Sequence, residues 1–198
     1  STGNPVYMPW LGKKAYDGIM AAYTAASRKN GKKYIPLIKN ATQLYVIEKG
    51  ALCGVVLDGS YNLTEANYKT SLQNMVDRVL ITDKDGNQIG VVEDTAAQQK
   101  YGVVQTVYKQ EDGKDAQTEA KALLQTLEQT GSVTGCPGDS RAVSGYALIV
   151  QETTTGLFGK FYIESDTHTF TDGKHEMALT LAFSNMMDEK EIENQSQG

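Results

Sequence analysis

The stretch from Gly156 to Phe183, GLFGKFYIESDTHTFTDGKHEMALTLAF, decides the fold class. In its last third Met177, Leu179, Leu181 and Phe183 alternate with Ala178, Thr180 and Ala182. A period of two with one apolar side is what a half-buried antiparallel strand requires. Asp172-Gly173 supplies the turn before it, so Thr167–Thr171 reads as the preceding strand. Upstream, Tyr146–Gln151 reads as a strand that turns through Thr153-Thr154-Thr155-Gly156 into another, Lys160–Glu164.

Toward the N-terminus helices enter the pattern. Asp115 is placed to cap a helix over Ala116–Gln129, with a stripe of Ala120, Leu123, Leu124 and Leu127 and a closing Gly131. Val103–Lys109 reads as a strand, and Asp94 as the cap of a short helical turn ending at Gly102. Met75–Thr82 meets Gln88–Glu93 across Asp83-Lys84-Asp85-Gly86-Asn87, a hairpin signal because Gly and Asn accept positive φ. Around Leu52–Gly59 the pattern changes, and a second region begins. Before it, Tyr34–Ile38 and Gln43–Glu48 form a hairpin around Lys39-Asn40-Ala41-Thr42. Residues 15–30 carry Tyr16, Ile19, Met20, Tyr23 and Ala26 at helical spacing, with Gly31 as a left-handed cap. The expected fold is therefore α+β and β-dominated: a small antiparallel barrel, closed or nearly so, with a packed helix, preceded by an α-β-β subdomain. The expected divisions are 1–57, 58–187 and a frayed tail over 188–198, which lacks the apolar surface to offset its ordering entropy.

Composition narrows the function classes. Across 198 residues with a formal charge of −5, no stretch reaches the ~20 apolar residues that span a bilayer. No secretory leader opens the chain, which fits synthesis in the cytosol. The basic cluster, Lys13-Lys14, Arg28-Lys29 and Lys32-Lys33, suits the polar face and C-terminus of one helix, and specific nucleic-acid binding is not expected. Cys53 and Cys136 lie in unrelated surroundings, outside any CxxC pair, and read as two free thiols.

The best catalytic-looking cluster is Glu164, Asp166 and His168, which share one face of a straight strand, with Asp172 and His175 just beyond the turn. Carboxylate and imidazole together can bind a metal or run acid–base chemistry. The plainer assignment is the solvent-facing polar side of a barrel strand, where outward charge guards against unwanted pairing. Ser140 and Ser144 lack a nucleophile elbow, and neither GxGxxG nor GxxxxGK[ST] occurs. The aspartates around Gly86 lack calcium-loop spacing. Asn62-Leu63-Thr64 fits a glycosylation sequon with nothing else pointing to secretion. No catalytic residue, cofactor or metal is assigned; the residues read as a binding or structural part.

The blocks AYDGIMAAYTAASRKNGKKYIPLI and LYVIEKG within 15–50 resemble XkdQ/YqbQ-type tail proteins of PBSX-like prophages. The likeness continues collinearly through SLQNMVDRVLITDKDGNQIG, KYGVVQTVYK and GKDAQTEAKALL to GLFGKFYIESDTHTFTDGKHEMALTLAFSNMMDE. The resemblance implies the baseplate-hub group, similar to late-control-D proteins of contractile tails. Members form a homotrimer whose two small barrels per subunit make a pseudo-sixfold ring between the hexameric tail tube and a threefold spike or tail tip. It implies a second tube barrel from Ser60 to Met187, the 116–129 helix on its wall, and a decorating α/β remnant over 1–57. Members carry a further barrel ahead of the point matching Tyr16, so the chain is expected to be a piece of a longer protein. Implied partners are copies of itself, the tail tube protein, and spike or tail-tip and tape-measure proteins, in the tail of a virion or phage-like particle, with no membrane. Two alternatives are a cell-surface or glycan-binding tail module, and a tail-associated peptidoglycan hydrolase using Glu164, Asp166 and His168. Tyr16, Tyr23, Tyr34, Tyr146 and Tyr162 are expected mostly in core and interface, against the glycan reading.

Overall fold

A computed structural model describes residues 14–191. Residues 1–13, with Trp10 and Lys13, and the 192–198 part of the expected frayed tail lie outside the described residues. In chain order the elements are α1 (Ala15–Asn30), β1 (Tyr34–Lys39), β2 (Gln43–Glu48), β3 (Leu52–Asp58), β4 (Glu65–Ser71), β5 (Arg78–Thr82) and β6 (Gln88–Glu93). They continue with α2 (Thr95–Tyr101), β7 (Gln105–Lys109), α3 (Ala116–Ala122), β8 (Glu128–Pro137), β9 (Ala147–Glu152), β10 (Leu157–Thr171) and β11 (Lys174–Ala182). The described residues form two compact units: 69–129, and a second made of 14–68 with 130–191. The second is discontinuous in sequence.

The discontinuous unit is built on a six-stranded sheet in the order β3-β9-β10-β11-β8-β4. Along β11 Met177, Leu179 and Leu181 are buried, as their alternation requires, and they meet Leu148, Val150, Phe161 and Ile163 from β9 and β10. Each such side chain contributes about 1.5–3 kcal/mol on full burial. The core cluster draws on this sheet and its loops alone, so the sheet curves around its own interior. The expected closed barrel is not found. The outermost strands β3 and β4 are not hydrogen-bonded to each other. At the β3 edge Asn62 donates through its side-chain amide to the Val56 carbonyl (3.0 Å) and accepts from the Asp58 N–H (2.7 Å). Residues 56 and 58 face away from β9, so this amide occupies the ladder positions that a closing strand would need. At the other edge β4 is largely exposed and carries Glu65 and Lys69.

Helix α1 ends as expected at Gly31 (φ 72°), whose N–H reaches the Ser27 carbonyl. Its buried face is Gly18, Met20, Ala21, Thr24, Ala26 and Ser27, rotated from the expected stripe, and Tyr16 is 45% exposed. Small residues turn inward because another piece of backbone approaches: the Lys190 N–H donates to Thr24 Oγ1 (3.1 Å). Nearby, Tyr16 donates to Asp188, Lys33 pairs with Glu189, and Arg28 with Glu191. Tyr23 instead packs on Tyr34 of β1, ring centroids 4.9 Å apart.

In the 69–129 unit β5 is central, antiparallel to β6 and parallel to β7. Asp83 shapes the β5–β6 turn by accepting the N–H groups of Asp85 and Asn87. Asp94 and Asp115 cap α2 and α3 by accepting from the Ala97 and Thr118 N–H groups. Val79 and Ile81 of β5 pack with Ala120 of α3, all buried. The helix expected over 116–129 stops at Ala122, and it packs on this three-stranded sheet, not on a barrel wall. Beyond it Gln125 exchanges two 2.9 Å backbone hydrogen bonds with Val76, which draws the chain out of helix and into β8.

Candidate functional site

The expected cluster on β10 is divided by a β-bulge. Register against β11 runs Ile163 to Leu181 and then Ser165 to Thr180, leaving Glu164 without a partner. An inserted residue reverses which side chains face inward. Before the bulge Leu157, Phe161 and Ile163 are buried; after it Asp166 and His168 take the inward face beside Leu179 and Met177. Glu164 is exposed and stands apart from them. The solvent-facing assignment therefore fails for two of the three: the side chains of Asp166 and His168 are only 21% and 15% exposed.

Both residues hold the loop of residues 138–146, which joins β8 to β9. Asp166 Oδ1 accepts the Ser144 N–H at 2.6 Å. His168 Nε2 lies 3.1 Å from the Ala142 carbonyl oxygen, and Nδ1 lies 2.9 Å from Nε2 of His175. A carbonyl can only accept, so Nε2 of His168 carries hydrogen. In the neutral ring Nδ1 is then bare and accepts from the Nε2–H of His175. His175, near the start of β11, is stacked on Phe170 (centroids 4.1 Å apart, 17° between planes). Its other side covers Gly138, where an added Cβ would lie 2.1 Å from the ring. Gly138 also donates its N–H to the His175 carbonyl (2.7 Å).

The surrounding charge is ordered. Asp166 Oδ2 stands 3.6 Å from Nε2 of His168. Asp139 is pushed down to about 2, first by the Arg141 side chain bonded to it, then by the Arg141 N–H. His175 and the adjacent Glu176 and Lys174 border a shallow groove that includes Tyr61. Among the described residues no group of three His, Cys, Asp or Glu side chains converges on a metal position. Cys53 and Cys136 are free thiols; burial raises the pKa of Cys136. Of the tyrosines, Tyr34 is buried, Tyr23, Tyr146 and Tyr162 are half-buried, and Tyr16 is exposed.

The arrangement suits anchoring. Asp166 and His168 spend their inward-facing groups on a loop and on each other, and Glu164 points elsewhere. The spacing of two made Asp166 and His168 legible in the sequence; the loop residues Gly138, Ala142 and Ser144 carried no such signal.

Residues 7–182 match the family model described as YQBQ-like. A curated relative, the phage-like element PBSX protein XkdQ of Bacillus subtilis (strain 168), is 26% identical over 195 residues, covering 88% of this chain and 56% of the relative. The chain thus spans little more than half that relative's length. Among solved structures, the 43 kDa tail protein of prophage MuSo2 from Shewanella oneidensis aligns with a TM-score of 0.56 at 14% identity, over 86% of this chain and 53% of the other. A tail protein from Neisseria meningitidis MC58 aligns at 0.48 and 14% identity, over 83% and 54%.

Proposed function

The chain belongs to the YQBQ-like family, and from that premise we propose that it is a structural component of the tail of a phage or phage-like particle. More finely, we place it in the baseplate hub, linking the tail tube to the spike or tail tip. The observation that carries the reading is the collinear family match over 7–182. The fold it shares with a prophage tail protein supports it. In this reading the role is non-catalytic, and the partners are further copies of the chain as a trimer, the tube protein, and tip and tape-measure proteins.

The physical features fit a wall element. The six-stranded sheet is open at β3 and β4, so it has two edges from which neighbours can be contacted. Repeating one such contact around an axis builds a closed ring. Val56 and Phe158 are exposed large apolar side chains on β3 and β10, a resource for such contacts. A net charge of −5 repels a phosphate backbone moving past the wall. Sedimentation of the protein across a concentration series tests the hub assignment. A mass rising to three chains is expected; a strict monomer at every concentration counts against it.

A further inference from the structure

We propose that His168, His175 and the 138–146 loop form a proton-operated latch, closed while the two imidazoles share one hydrogen and released when both facing nitrogens carry one. The latch does not depend on the tail assignment. Three side chains of the β10–β11 hairpin anchor the loop: His175 over Gly138, His168 at the Ala142 carbonyl, and Asp166 at the Ser144 N–H. Two of these anchors meet at the 2.9 Å contact between His168 Nδ1 and His175 Nε2.

That contact has room for a single hydrogen. A first proton enters at Nδ1 of His175, which turns the contact into a charge-assisted hydrogen bond and leaves its geometry intact. A second proton must enter at Nδ1 of His168, where it faces the Nε2–H of His175. Two N–H groups cannot point at each other across 2.9 Å, so one ring must leave. His175 is confined between Gly138 and Phe170, and His168 is held by Ala142, so either departure frees the loop at one anchor. The charged groups around the pair are Asp166 beside His168, Asp139 (paired with Arg141) toward His175, and Glu176 and Lys174, which flank His175 with opposite signs. Two unit charges at this separation repel enough, even in a water-like dielectric, to shift the equilibrium about tenfold.

Amide hydrogen exchange of the 138–146 loop at pH 7.5 and pH 4.5, corrected for intrinsic exchange rates, tests the latch. Protection should fall about tenfold in acid, while the β5–β6 hairpin stays unchanged. In His168→Gln the amide keeps a fixed donor for Ala142 and a fixed acceptor for His175, so the acid response should vanish. Equal protection at both pH values in the native chain, or an unchanged acid response in His168→Gln, overturns the proposal. Should that variant misfold, NMR titration of the two imidazoles in the native chain decides: coupled steps support the latch, and independent single-site curves overturn it.

Discussion

Replacing Gly138 by Ala places a methyl group 2.1, 2.2 and 2.4 Å from Cδ2, Cγ and Nε2 of His175. The ring cannot retreat, because Phe170 is stacked on it at a centroid distance of 4.1 Å. It must swing out, losing the hydrogen bond to His168 (about 1 kcal/mol) and its stacking (about 0.5–1.5 kcal/mol). The expected cost is about 1.5–2.5 kcal/mol, a drop in Tm of roughly 3–10 °C for a chain of this size. The assay is a double-mutant cycle by urea denaturation on the native chain, G138A, H175A and G138A/H175A. The three atoms nearest the added methyl all belong to the imidazole, so G138A should cost much less in the H175A background. Additive losses would refute the reasoning, since they would mean that the ring and the glycine do not share the same space.

Three further outcomes follow from the geometry. Asn62→Ala removes both side-chain bonds at the free edge of β3 and should cost about 1–2 kcal/mol in denaturation, with more light scattering on storage because strand edges recruit other strands. Glu152 is pulled down to about 2 by the Thr155 hydroxyl, then by the Thr155 and Thr154 N–H groups. A lowered pKa gives stability that is present above about 4.5, the group's ordinary value, and lost as pH falls toward about 2. Glu152→Gln should therefore flatten the acid slope of Tm across that window, and an unchanged slope would exclude the contribution. Cys136 is fully buried and Cys53 half-buried, so a thiol reagent should modify Cys53 in the folded protein and reach Cys136 only on unfolding.

What the sequence revealed followed the strength of its periodic signal. The β1–β2, β5–β6 and β10–β11 hairpins were legible because turn residues such as Asp83, Gly86 and Gly173 punctuate apolar runs. The caps Asp94 and Asp115 were legible too, since a short carboxylate ahead of a helical run has one favoured use. Strand β4 gave no signal, because an edge strand exposed along most of its length needs no apolar alternation. Around α3, Leu123, Leu124 and Leu127 imitate a helical stripe, but the pairing of Gln125 with Val76 outweighs helix propensity there. Barrel closure was not decided by strand count: β3 and β4 end the sheet unpaired with each other, and an asparagine amide occupies the C-terminal part of the β3 edge. At the site, one bulge residue moved Glu164 away from Asp166 and His168, and alternation alone does not reveal a bulge.

The most direct test of the tail role is electron microscopy of purified particles labelled with antibody against the natural protein. Label is expected at the distal end of the tail, where the tube meets the tip. Particles free of label, or label confined to the head, would contradict it.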